Sequence, residues 1–149
     1  MKKVYSFQKG FESINGEVVS LSLIDTYGEK TSLPFYWWNI VINNKNVGKI
    51  SLRIADNKDA YWDGNIGYEI DEDYRGHNYA YEACKLVIEI AKKHNMDQLY
   101  FSCEPNNIAS IRTVKKLGAI FLEENIPLKD YVYYRRGICK HRIYVLKLI

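Results

Sequence analysis

Asn65-Ile66-Gly67-Tyr68-Glu69-Ile70, then Asp71-Glu72-Asp73, then Tyr74-Arg75-Gly76-His77-Asn78-Tyr79-Ala80: this run decides how the chain is read. The first block predicts a strand, the second an acidic corner, and the third a tight polar loop that opens directly into a helix. Ala80, Ala83, Cys84, Val87, Ile90 and Ala91 fall on one face of that helix, with Glu82, Lys85, Glu89, Lys92 and Lys93 opposite. It is expected to end near His94-Asn95, because Asn tolerates the left-handed conformation of a helix stop. Leu99 to Cys103 predicts a short buried strand, parallel to the first. Asn106 or Asn107 then caps a second helix, Ile108 to Leu117, with Lys115 and Lys116 in its last turn and Gly118 at its stop. Strand, polar loop, helix, strand is an order that builds anion sites. Loop N–H groups and the helix N-terminus point at one place, where the peptide dipoles favour negative charge.

Working outward, Phe35 to Ile42 is aromatic and β-branched, as suits a strand. Asn43-Asn44-Lys45-Asn46 predicts a turn, and Val47 to Ile54 alternates as the partner strand of a hairpin. Ala55 to Gly64 is expected to be a polar loop carrying Tyr61 and Trp62. Val18 to Ile24 alternates as a strand, and Tyr27-Gly28-Glu29-Lys30 predicts a turn. The tail from Tyr131 to Leu148 predicts two more strands around Arg135-Arg136-Gly137. The 149 residues suit one domain, residues 1 to 149, of α/β class on a mixed, largely antiparallel sheet with a central parallel pair flanked by helices.

No apolar run approaches the ~18 residues of a membrane span, and the basic N-terminus has no apolar segment after it. Cys84, Cys103 and Cys139 are odd in number and widely spaced, which predicts reduced thiols and a cytoplasmic protein. A net charge of +3 fits an anionic co-substrate and does not mark a nucleic-acid binder. The three histidines show no metal spacing, and Asp71-Glu72-Asp73 lacks the register of a calcium loop, so no metal is expected.

Arg75-Gly76-His77-Asn78-Tyr79-Ala80 resembles the Arg/Gln-x-x-Gly-x-Gly/Ala signature of the GNAT N-acetyltransferase superfamily, whose loop holds the coenzyme A pyrophosphate. Asn107-Ile108-Ala109-Ser110, leading to Leu117-Gly118-Ala119, is similar to the superfamily's second landmark. The resemblance implies a GNAT-like fold and acetyl-CoA as co-substrate, bound by Arg75, Gly76, His77, Asn78, Tyr79 and Ala80. It further implies backbone contacts to the pantetheine arm from Tyr68, Glu69 and Ile70, with Asn107 reaching it from the far side. Asn107 as a plain helix cap is the rival reading. The two amphipathic helices that follow the first strand in the family are not evident here.

One departure is Asn78 where the signature has Gly; Asn accepts positive φ more readily than most residues. The resemblance makes Glu69 the candidate general base, with an ordinary strand glutamate as the alternative. The family's acidic Tyr position is occupied by Val114, which leaves Tyr144 or a water as the candidate acid. Cys103 reads as a buried structural thiol. The cluster Arg135, Arg136, Lys140, His141 and Arg142 reads as a solvated hairpin.

The expected function is transfer of an acetyl group from acetyl-CoA to a primary amine, by direct attack in a ternary complex. The alternatives are a catalytically impaired CoA-binding regulatory or scaffold domain and a basic RNA-binding domain. The expected acceptor is a small-molecule amine or a protein N-terminus, with no nucleic acid and no membrane as partner; a homodimer is left open.

Overall fold

A computed structural model describes residues 8–26 and 35–149. The turn expected at Tyr27 to Lys30 lies outside them. In order the elements are β1 (Ser13–Asn15), β2 (Ser20–Thr26), β3 (Phe35–Ile42), β4 (Lys45–Arg53), α1 (Lys58–Asp63) and β5 (Ile66–Ile70). A 3-10 turn (Glu72–Tyr74) leads to α2 (Tyr79–Lys93), β6 (Gln98–Cys103), α3 (Ile108–Lys116), β7 (Ile120–Asn125) and β8 (His141–Lys147).

The α/β class is as expected, with a difference at its centre. The strands form two antiparallel sheets, β1-β2-β3-β4-β5 and β6-β8-β7. The central parallel pair expected between β5 and β6 does not form a ladder. The two sheets are tied instead by hydrogen bonds at Asn65, just ahead of β5. Its N–H donates to Tyr100 O at 2.7 Å and its Oδ1 accepts from Tyr100 N at 2.8 Å. Its Nδ2 donates to Arg53 O at 3.0 Å and Ala55 O at 2.9 Å. Every polar atom of this side chain, which is 2% exposed, is therefore used. From that clasp β5 and β6 run on without a shared ladder, and a groove opens beside them.

β3 forms because its pattern can bury one face: Tyr36, Trp38 and Ile40 are buried and the residues between them are not. Its hairpin with β4 turns through Asn43 and Asn44 at φ 49° and 64°. A two-residue turn of this hand needs positive φ at both centres, which explains two asparagines. In β4, Gly48 lets β5 come close, since a Cβ there lies 2.3 Å from Glu69 O. The core runs through both sheets and α2, with Trp38, Ile50, Val87, Leu99 and Phe101 among its members. At the end of α2, Tyr36 Oη and His94 Nε2 are 2.8 Å apart, and His94 Nδ1–H donates to Ile90 O at 2.8 Å. Burial lowers the His94 pKa, so the ring is neutral in this site.

Two local expectations are corrected. The stretch Ala55 to Gly64 is not all loop. Asn57 caps α1, its Oδ1 accepting from Ala60 N at 2.9 Å. Six residues with only Ala60 and Trp62 buried show no readable periodicity. The tail holds one strand rather than two. Turns occupy 131–140, closed by Tyr134 N to Tyr131 O and Ile138 N to Arg135 O. The missing strand is β7, upstream of that stretch. It is an edge strand, exposed at five of its six positions, so it shows no alternation to read.

Candidate active site

The loop that leads to α2 is wound tightly by its own backbone. Tyr74 N donates to Asp71 O at 2.9 Å, and Arg75 Nε donates back to Ile70 O at 2.8 Å. Gly76 then takes φ +88° and Asn78 takes φ 63°, and α2 starts at Tyr79. The left-handed asparagine matches the conformational tolerance read from the sequence. The first intrahelical bond is Glu82 N to Asn78 O, so the amides of Tyr79, Ala80 and Tyr81 have no intrahelical acceptor. Asn78 makes no capping bond to them either. Together they leave a helix end with free N–H donors, where the peptide dipoles favour negative charge.

Asn78, Tyr79 and Ala80 line a groove of about 520 Å³ bounded by β5, the loop, α2 and α3. Of the residues expected from the sequence, Tyr68, Glu69, Ile70, Arg75, Gly76, Asn78, Tyr79, Ala80 and Asn107 all border it. His77 does not; it is exposed and stacks on Tyr79, with ring centroids 5.3 Å apart. The sequence reading missed Arg112 and Lys116, which bring two more positive charges from α3. Their signal was available, since Arg112 and Lys116 are four apart on a helix that begins at the Asn107 landmark. Asn107 is the cap of that helix, its Oδ1 accepting from Ser110 N at 3.1 Å.

Ser110 was also missed, and it borders the groove beside Tyr68. Its Oγ is 2.8 Å from Tyr68 Oη and 3.3 Å from Cys103 Sγ. Burial pushes the Tyr68 phenol well up, partly offset by the bond to Ser110, so it stays a neutral hydroxyl. Burial likewise raises the Cys103 thiol, partly offset by Ser110 and by the nearby Arg142 charge. A buried thiol that holds its proton is a poor nucleophile. Cys84 is raised by burial as well. All three cysteines are free.

The candidate acid Tyr144 is placed elsewhere. It is 0% exposed, its hydroxyl accepts from Arg142 Nε at 2.7 Å, and it does not border the groove. Strand alternation in β8 turns it into the core beside Phe121. Val114 is buried under α3. Glu69 borders the groove, exposed, paired in register with Lys49. A wider groove of about 790 Å³ lies on the other flank of α2, lined by Val18, Leu86, Leu117 and Leu146 among others. It contains none of the loop residues and no convergent hydroxyls. Among the described residues no cluster of His, Cys, Asp or Glu is arranged to hold a metal ion, and no helix is long and apolar enough to cross a membrane.

Residues 13–120 match the family model described as the Acetyltransferase (GNAT) domain. The chain belongs to the GNAT acetyltransferase family. Within it, the chain is 35% identical over 54 residues to the uncharacterised N-acetyltransferase YnaD of Bacillus subtilis, a match covering 36% of this chain and 32% of YnaD. The fold is shared with the Salmonella typhimurium acetyltransferase that modifies the N-terminal serine of ribosomal protein L7/L12. The TM-score is 0.60 at 17% identity, over 77% of this chain and 64% of that one. It is shared also with the microcin C7 self-immunity acetyltransferase MccE, solved with acetyl-CoA and AMP. There the TM-score is 0.60 at 18% identity, over 76% and 61% of the two chains. The chain thus spans about a third of the curated relative it matches and under two thirds of these solved ones.

Asn78, the departure from the GNAT signature, gives a sharp expectation. Its φ of 63° is one that Asn and Gly both adopt, and its side chain makes no capping bond. Asn78→Gly should therefore leave acetyl-CoA affinity within about threefold by calorimetry, a difference well under ~1.4 kcal/mol. A tenfold loss would show instead that the Asn amide itself donates to the ligand.

Proposed function

We propose that this GNAT domain is an N-acetyltransferase that moves an acetyl group from acetyl-CoA to a primary amine by direct attack in a ternary complex. One observation carries the reading: a single groove has an anion end and a hydroxyl end. The loop amides, the α2 N-terminus, Arg75, Arg112 and Lys116 suit the pyrophosphate. The Tyr68–Ser110 pair borders the same groove beside Cys103, where a thioester sulfur would lie once the phosphates are seated.

In this reading the backbone of β5 takes the pantetheine arm, and its lack of a ladder with β6 leaves edge N–H and C=O groups to do so. His77 lies at the loop's rim. The neutral Ser110 and Tyr68 hydroxyls supply the proton that a departing thiolate needs, the role for which Tyr144 is placed wrongly. Glu69 stands at the groove's edge as a candidate base. The acceptor class is a small-molecule amine or a protein N-terminus. The Salmonella relative's action on an N-terminal serine supports including the latter.

A panel of amines and short peptides, incubated with acetyl-CoA and read by free-thiol release and product mass, tests the activity. Acetylated amine with one thiol per product is the expected result. Thiol release without an acetylated product, on every acceptor class, would remove it. Ser110→Ala should lower kcat by roughly 10²-fold, the lower end of general-acid contributions, with acetyl-CoA affinity unchanged. A change in affinity with kcat intact would reassign Ser110 to binding.

A further inference from the structure

The residues from 126 to 140, between β7 and β8, form neither helix nor strand. Irregular connections longer than about 12–15 residues are uncommon in compact domains, and those that occur are mostly binding loops or unordered linkers. This one is ordered by bonds to α1. Lys58 Nζ is 3.2 Å from Asp130 Oδ2, and Val132 N donates to Asp59 Oδ1 at 2.9 Å. Tyr131 Oη donates to Asp63 Oδ1 at 3.1 Å, and its ring is buried with Trp62 and Ile143. The loop is therefore a fixed surface, set before any partner arrives.

That surface is basic and partly apolar. Lys129, Arg135, Arg136 and Lys140 stand in it against one carboxylate, Asp130, which Lys58 already pairs. All four cations are exposed, and none is in an ion pair among the described residues. The carboxylates nearby are taken: Asp59 and Asp63 by the loop itself, Glu123 by Tyr61 and Glu124 by Arg142. None of the four cations borders the coenzyme groove, whose positive charges are Arg75, Arg112 and Lys116, so the coenzyme does not account for them. Among them Val132 and Tyr133 are 58% and 59% exposed. Exposed tyrosine beside arginine is the composition of protein interfaces.

The loop leaves and rejoins its sheet at the end of β6 that meets the groove. Asn125 pairs with His141, and Arg142 pairs with Cys103, whose thiol touches Ser110. Residues opposite each other on neighbouring strands are about 5 Å apart, so the loop's last residues lie close to the Tyr68–Ser110 pair. We propose that the 126–140 loop is the docking surface for an acidic polypeptide whose N-terminal amine is the acetyl acceptor. The proposal rests on the reading of the groove as the acetyl-CoA site and narrows its acceptor. A nucleic acid would also meet the positive charge, but it brings no aliphatic amine to the thioester. The transfer itself balances as before. The amine nitrogen forms the C–N bond and the C–S bond breaks. Of the two protons the ammonium loses, the equivalent of one ends on the coenzyme thiol and the other passes to solvent.

The test uses three peptides that share their first residues and are acidic, uncharged or basic beyond them. At low salt the acidic peptide should show a KM about tenfold below that of the uncharged one, with similar kcat, and salt should erase the difference. Arg135→Glu combined with Arg136→Glu should also erase it, leaving the uncharged peptide and acetyl-CoA affinity within about threefold of wild type. Arg136→Gln combined with Lys140→Gln is the milder second variant should the first not fold. Fluorescence anisotropy of the labelled acidic peptide reads docking without turnover. Equal KM for the acidic and uncharged peptides, variant losses shared by all three, or an RNA oligonucleotide bound in preference to the acidic peptide would overturn the proposal. A wild type that acetylates small amines but does not bind the acidic peptide removes the docking surface and leaves the activity standing. A wild type that binds the acidic peptide through these arginines yet acetylates no amine removes the activity and leaves the docking surface.

Discussion

Gly76→Asp should abolish acetyl-CoA binding while the protein stays folded. Gly76 holds φ +88° between the 3-10 turn and α2, and a Cβ there meets no protein atom within 4 Å. The new side chain is not excluded by the fold, then, but by what the loop is built to receive. It brings a carboxylate to the end of the groove where helix amides and the Arg75, Arg112 and Lys116 charges converge. Losing even one charge-assisted hydrogen bond costs about 1.5–3 kcal/mol, and repulsion between anions adds to that. Kd should rise by ~100-fold or more.

The same substitution strains the backbone by roughly 1–2 kcal/mol, because an L residue is reluctant at this φ. For a chain of this size that lowers the melting temperature by only a few degrees. The two effects separate in a thermal-shift experiment. Wild type at ~100 times Kd of ligand gains about 2.7 kcal/mol of stability, and the variant should gain none. A wild type that shows no calorimetric binding at millimolar acetyl-CoA would sink the central claim. A variant that binds as well as wild type would move the pyrophosphate away from this loop.

Asn65→Ala should cost more stability than any other polar-to-alanine change among the described residues. It leaves Arg53 O, Ala55 O and Tyr100 N without their side-chain partner in a site closed to water. Each such loss costs about 1–3 kcal/mol, so the three together cost on the order of 3–9 kcal/mol. Native domains are stable by only ~5–15 kcal/mol, and urea unfolding should show the variant close to its limit. Asn65→Asp makes the test specific. It keeps the shape and the acceptor for Tyr100 N, yet sets a carboxylate against two carbonyl oxygens in the interior. It should therefore be at least as damaging as Ala. If Asp proves benign, the clasp is not what joins the two sheets.

Short-range rules made much of this molecule legible. Positive-φ asparagines at 43, 44, 78 and 95, the Asn107 cap and the 3.6-residue stripe of α2 all act within a few residues, so residue order alone implies them. They sufficed for the loop–helix unit and the GNAT resemblance. Elements without a periodic face were lost. α1 is too short to show one, β7 is an exposed edge, and the tyrosine-rich 131–138 segment packs on Trp62 and Ile143 without being a strand.

What only the tertiary structure decided is which side chains meet. Ser110 reaches Tyr68 across 42 residues, and His141 reaches the carbonyl of Trp62 across 79. Asn65 replaces the expected parallel ladder with a single clasp. Such encounters depend on strand register, on the face each residue presents and on how two sheets are tied. Each is a property of packing between distant segments, which no local pattern encodes. The amino-acid order thus determined the tight positive-φ loop from Arg75 to Ala80 and the helix it opens into. Tertiary packing determined that the hydroxyls of Tyr68 and Ser110 border the same groove as that loop.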